Sequence, residues 1–330
     1  MPTYPSALAK VQQAFEATPG TDLPTTSMVH LEDYEFAQGD IVYRPKSVRG
    51  LMIDNPGFET PVTRFTTWKI SGYWTYEQAQ GWLGGIVKVT APTGLSPYVW
   101  TYTQDPTAYP TFWTYTFERR ETDGTTPIGQ AWHYCVLQKL TLTFTDGQPI
   151  MFTAEGFGRR VQTETLTASQ TLPTPELIPM ALSKLYIDTT FAGAGGTQVS
   201  TQFLGGSLEI NTGAVPLWTG DGQADLDFTT VGFDAAARGL KANITTYLGA
   251  QYATEKTAAE AQSLRAVRLS FAGSSGRAMT LDFLCKYEPG SLFNFGNQNG
   301  QRIITLPLTS ATDATNQFKA VVTNLIATLA

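Results

Sequence analysis

Charge is scarce in this sequence. Of 330 residues, 22 are Lys or Arg and 28 are Asp or Glu, which makes 15% charged and a net charge of −6; about 25% is usual for soluble domains. A surface so poor in charge is rich in Thr, Ser, Gln and Asn, or covered by partners. Gripping nucleic acid needs clustered Lys and Arg, and an acidic, charge-poor chain is badly suited to it. The two cysteines, Cys135 and Cys285, are too few for a disulfide framework, and each sits in a strand-like run as a buried free thiol. With only His30 and His133, a Ser-His-Asp or Cys-His site lacks material, and no C-x-x-C or H-x-x-x-H spacing points to zinc. Gly193-Ala194-Gly195-Gly196 is too short for a dinucleotide fingerprint and reads as a hairpin tip. Neither a cofactor nor catalysis is expected. No run approaches the ~18 apolar residues of a membrane span. The start, Met1 to Pro5, lacks the basic residues and apolar stretch of a secretory leader, so the chain is expected in the cytoplasm when made.

Material for a core is plentiful, at 42% hydrophobic and 12% aromatic residues, which excludes global disorder. Strand patterns dominate. Leu140–Thr145 alternates strictly, and Asp146-Gly147 supplies a turn before Ile150-Met151-Phe152. Ser207–Asn211, Asp225–Phe228 and Phe112–Phe117 alternate as well. Thr, Tyr, Phe, Val and Trp fill these runs, as a pleated, half-buried surface favours. The expected class is mainly β with antiparallel sheets.

Residues 1–28 read differently: Leu8, Val11 and Phe15 recur at helical spacing, and Pro19-Gly20 ends the pattern, giving a short amphipathic arm and a linker. Two helices are expected among the strands. Thr75-Tyr76-Glu77-Gln78-Ala79-Gln80 follows the strand Phe65–Tyr73, and Thr257-Ala258-Ala259-Glu260-Ala261-Gln262 follows the strand Leu240–Leu248. Both fit a capping box, and Gly84-Gly85 stops the first helix. Gly57-Phe58-Glu59 and Gly232-Phe233-Asp234 stand before these strands, so one order occurs twice, half a chain apart. This predicts an arm over 1–28 and two like units over 29–170 and 171–330, divided at the proline-containing stretch Thr171–Pro175.

This organisation resembles the major tail tube proteins of long-tailed, siphovirus-like bacteriophages. The resemblance lies in the N-terminal arm, the extended loop Gly39–Phe58, the strand Arg64–Tyr73 with the helix after it, and the strands Phe112–Arg119, Cys135–Thr145 and Ile150–Val161. It implies a duplicated antiparallel β-sandwich or barrel, one flanking α-helix per unit, whose neighbours join sheets around a ring. A duplicated member would form trimeric rings, stacked into a tube that the tape measure protein and then DNA traverse, ended by tail terminator and tip proteins. The implied location is the virion tail, after assembly in the host cytoplasm. Arg44, Lys46, Arg49, Asp54 and Asn55 in the extended loop become candidates for ring stacking. The polar faces of the alternating strands become candidates for the lumen: Thr141, Thr143 and Thr145; Ser207, Glu209 and Asn211; Asp225 and Asp227.

Two other readings use the same residues. Seven tryptophans suit a two-domain β-sandwich binding module, for carbohydrate or virion decoration. Asp225 and Asp227, two apart on a strand, share a face as a glycosidase's carboxylate pair would.

Overall fold

The computed structural model describes residues 10–21, 23–43, 60–122, 127–163, 165–168, 170, 174–200, 202–220, 226–288 and 294–329. The chain opens with β1 (Lys10–Glu16), β2 (Ser27–Met28) and β3 (Asp33–Gln38). A two-stranded ribbon, β4 (Ile41–Tyr43) with β5 (Thr60–Thr63), precedes β6 (Thr66–Tyr73) and helix α1 (Tyr76–Gly84). Next come β7 (Tyr98–Gln104), β8 (Thr114–Thr122), β9 (Pro127–Thr145), β10 (Met151–Gly158) and β11 (Gln162–Thr163). The second half runs through β12 (Ser183–Asp188) and β13 (Phe203–Asn211) to another ribbon, β14 (Ala214–Leu217) with β15 (Thr230–Phe233). β16 (Gly239–Tyr247), helix α2 (Gln251–Glu260), β17 (Arg265–Ala272) and β18 (Ala278–Tyr287) follow, then β19 (Asn294–Gln298), β20 (Gln301–Ser310) and β21 (Phe318–Asn324). The fold is mainly β, and its sheets are antiparallel. Among the described residues no helix is long and apolar enough to cross a membrane.

The order strand, ribbon, strand, helix therefore stands in both halves, as β3-β4-β5-β6-α1 and β13-β14-β15-β16-α2. One sheet runs through both. Its order is β3-β6-β10-β9-β13-β16-β20-β19, four strands from each half, joined where β9 pairs with β13. Two further layers complete the molecule: β12-β17-β18-β21-β7, and β2-β1-β8-β9-β11. The long β9 serves two layers, its first part bonding β8 and β11 and its last part β10 and β13. The halves share one apolar core, from Val11 and Trp68 to Leu208, Leu269 and Val322.

Three sequence expectations are corrected. Residues 10–16 form β1, paired along its length with β8, and no helix. The i, i+4 spacing of Val11 and Phe15 coincides with a strand buried on both faces, in which Val11, Gln12, Gln13, Ala14 and Glu16 are all covered. Glu16 is kept inside by Thr114 and Thr116 hydroxyls at 2.6 and 3.0 Å and by the Gly20 and Tyr134 amides at 2.8 Å each. Thr257 does not open α2; it lies within the helix, its hydroxyl donating to the Ala253 carbonyl at 3.0 Å, while Ala250 stands at the N-cap. α2 begins earlier because its buried Glu255 must reach Arg265 at 2.9 Å and accept from the Tyr287 hydroxyl at 2.6 Å. Leu226–Phe228 forms no alternating strand: Leu226 has φ +62° and Asp227 makes an isolated bridge to Arg64. Asp225 lies outside the described residues, and so do Gly57, Phe58 and Glu59.

Other expectations stand. Thr75 caps α1, accepting from the Gln78 amide at 3.2 Å, and Gly85 ends it. Gly147 takes φ +69° in the turn before β10. Cys135 and Cys285 are buried free thiols. All nine residues of α1 are buried; the helix packs on β21 and β7, and its Trp82 ring meets Trp68 of β6 and Phe152 of β10. Two of its polar members have charged or amide partners: Glu77 meets Arg277 at 2.6 Å, and Gln80 accepts from the Asn324 amide at 2.6 Å.

Candidate functional site

The eight-stranded sheet has two unlike faces. Trp68, Ile70, Phe152, Leu140, Leu142, Leu208, Ile210, Ala242, Ile244 and Leu306 point into the core. On the other face the register lays residues in rows across the strands. One row runs Asp33, Ser71, Thr153, Thr141, Glu209, Lys241, Thr309. A second runs Tyr73, Met151, Thr143, Ser207, Asn243, Pro307, and Thr145 lies in a third beside Gly205 and Thr245. A fourth, Glu35, Lys69, Glu155, Lys139, Asn211, alternates in sign before ending in an amide.

Thr141, Thr143, Thr145, Ser207, Glu209 and Asn211 are thus brought together on one face, across the seam between the halves. Asp227 is not with them. It is buried, with one carboxylate oxygen accepting from the Arg160 amide at 3.0 Å and the other 3.9 Å from the Arg160 Nε. Arg44, Lys46, Arg49, Asp54 and Asn55 lie outside the described residues, in the segment between β4 and β5.

The face is polar but electrically balanced. Glu155 sits between Lys139 at 2.8 Å and Lys69 at 3.4 Å. Partial burial pushes its carboxyl up, but the hydrogen bonds and charges of the two lysines outweigh that and hold it below the usual carboxylate range. The same hydrogen bond raises the Lys139 ammonium. Glu209 accepts from the Asn211 amide at 2.8 Å and stands opposite Lys241.

The sheet ends on two edges. β3 bonds β6 alone and β19 bonds β20 alone among the described residues. Each edge carries aromatics on its core-facing side. Tyr34 and Phe36 lie on β3, with Phe36 stacked on Trp132 at 4.1 Å. Phe295 lies on β19, half exposed, with its ring 5.6 Å from Tyr252. Sequence reasoning missed both edges, although Asn299-Gly300 at the β19–β20 turn is the strongest short hairpin signal; both residues take positive φ.

The ribbons meet beside one another. The Arg64 amide donates to the Leu226 carbonyl at 2.9 Å, and Phe65 packs edge-on against Trp218 at 5.9 Å. Ile41, Val42, Val62, Leu217 and Trp218, on or beside these ribbons, are exposed apolar residues.

No protein-family model matches the chain, and no curated protein does.

Proposed function

We propose that this chain is a structural, self-assembling protein: three copies close a ring, and rings stack into the tube of a phage tail, the conduit for DNA. The central sheet carries the reading. Its eight strands are all antiparallel, so the β3 edge and the β19 edge run opposite ways, and a second copy extends the ladder head to tail without breaking its pattern. Contacts of this kind either close a ring or run on as a filament. The repeated strand–ribbon–strand–helix order makes each half one quasi-equivalent unit, six to a trimer. Three copies give a barrel of about 24 strands, wider than the roughly 16–18-stranded barrels that already leave an aqueous channel.

The polar face suits the inside of such a barrel. Hydroxyls, amides and paired charges leave few free cations to hold phosphates, which DNA in transit requires. The exposed apolar ribbons suit contacts between stacked rings, and Arg44, Lys46, Arg49, Asp54 and Asn55, between β4 and β5 in sequence, remain the candidates for such contacts. Tape measure protein inside and terminator or tip proteins at the tube's ends are the partners this reading implies. Of the seven tryptophans that suggest a carbohydrate-binding module, Trp68, Trp74, Trp82, Trp100 and Trp132 are core residues, while Trp218 is exposed.

Light scattering and negative-stain images over a concentration series test the proposal. Rings or filaments are the expected species; a monodisperse monomer at every concentration would contradict it.

A further inference from the structure

The seam inside one chain is a template for the seam between chains. β9 and β13 join with Thr145 opposite Gly205 and Leu142 opposite Leu208. Each strand has a counterpart in the other half. β3 bonds β6, β6 bonds β10 and β10 bonds β9; β13 bonds β16, β16 bonds β20 and β20 bonds β19. Superimposing the two series must keep core positions on core positions and carry bonded partners together. Tyr73 and Tyr247 fix the remaining freedom, as the final residues of the strands that lead into α1 and α2. From that anchor, Thr145 corresponds to Gln298, Leu142 to Phe295, Gly205 to Asp33 and Leu208 to Phe36.

We infer that β19 of one copy pairs antiparallel with β3 of the next copy in a single register, Gln298 opposite Asp33 and Phe295 opposite Phe36. This deepens the self-assembly reading and rests on it. Two further observations agree with the register. Leu142 and Leu208, which meet at the internal seam, are both 0% exposed, whereas Phe295 is 53% exposed in the single chain. The register sets Phe295 against Phe36 and so supplies the cover it lacks. Charge also selects the partner. β3 presents Asp33 and Glu35, so β3 against a second β3 would bring like charges together, while β19 carries no charged residue.

Disulfide trapping reads the register directly, because Cys135 and Cys285 are buried. Positions directly opposite have Cβ atoms about 4.5–5.5 Å apart and diagonal ones about 7–8 Å, and only the former are within small shifts of the roughly 3.5–4.5 Å a disulfide needs. Under mild oxidation the Asp33→Cys/Gln298→Cys variant is expected to give covalent oligomers at least tenfold more abundantly than Glu35→Cys/Gln298→Cys. A Phe295→Asp variant is expected to lose assembly while its monomer melts as the wild-type monomer does. If particles form and the Glu35→Cys pair crosslinks as well or better, the register is wrong and the assembly reading survives. Normal assembly by Phe295→Asp overturns the register in the same way. If the wild-type protein forms no particles, the assembly reading falls and the register falls with it.

Discussion

At the scale of residues, alternation was legible and environment was not. Thr141, Thr143, Ser207 and Glu209 face where period-two patterning sends them, because one face of each strand meets an apolar core. Asp227 sits in an equally alternating tetrapeptide yet is buried by the turn at Leu226, a matter of backbone conformation that polarity cannot report. Glu155 gives a test of the face's electrostatics. Its carboxyl titrates below the usual range in the folded chain, so the stabilisation is present above the unfolded value and is lost as pH falls through the folded one. Glu155→Gln should therefore destabilise by about 0.5–1 kcal/mol at pH 7, a value kept small by solvent screening. The difference from wild type should vanish in acid, as read from urea midpoints across pH.

At the scale of elements, the first helix was legible through its cap and the second only roughly. The same Thr-x-x-(Gln/Glu)-Ala-Gln pattern caps the start of α1 and falls across the end of α2, because the buried Glu255–Arg265 pair sets where α2 must lie. The arm became a strand for a related reason. Gln12, Gln13 and Glu16 look like solvent-facing residues until partners on other elements are in place. The extended loop was partly readable: its start holds β4, which pairs with β5 just beyond its far end, and residues 44–59 lie outside the described residues. The seam between the halves depends on β13, where Gly206 has φ +146° and an added Cβ would press on the Asn243 carbonyl. Gly206→Ala should cost about 2–4 kcal/mol, from backbone strain together with overpacking. A lowered denaturation midpoint with an unchanged slope would show it.

At the scale of the whole molecule, the mainly β class was written in the strand patterns, but the sharing of sheets was not. Nothing local tells β9 to bond β13, or β21 to bond β7, since pairing between distant segments is decided by which edges remain when the core has closed. The polar face makes a functional prediction at this scale. Thr141→Lys and Thr143→Lys, together with Glu209→Lys, should leave tubes assembled, because these side chains face away from the core. Each added cation should raise DNA retention in the lumen and make its release more dependent on salt. Release as fast as wild type at low salt would move this face to the outside of the tube.

The central claim is closure by edges β3 and β19 of a chain that supplies two units, and counting chains per ring tests it most directly. Native mass spectrometry of isolated rings, or the rotational symmetry of imaged tubes, gives that count. Three chains per ring is the predicted result. Six chains per ring would contradict the account, since each chain would then supply one unit and the central sheet could not run unbroken through both halves around the barrel.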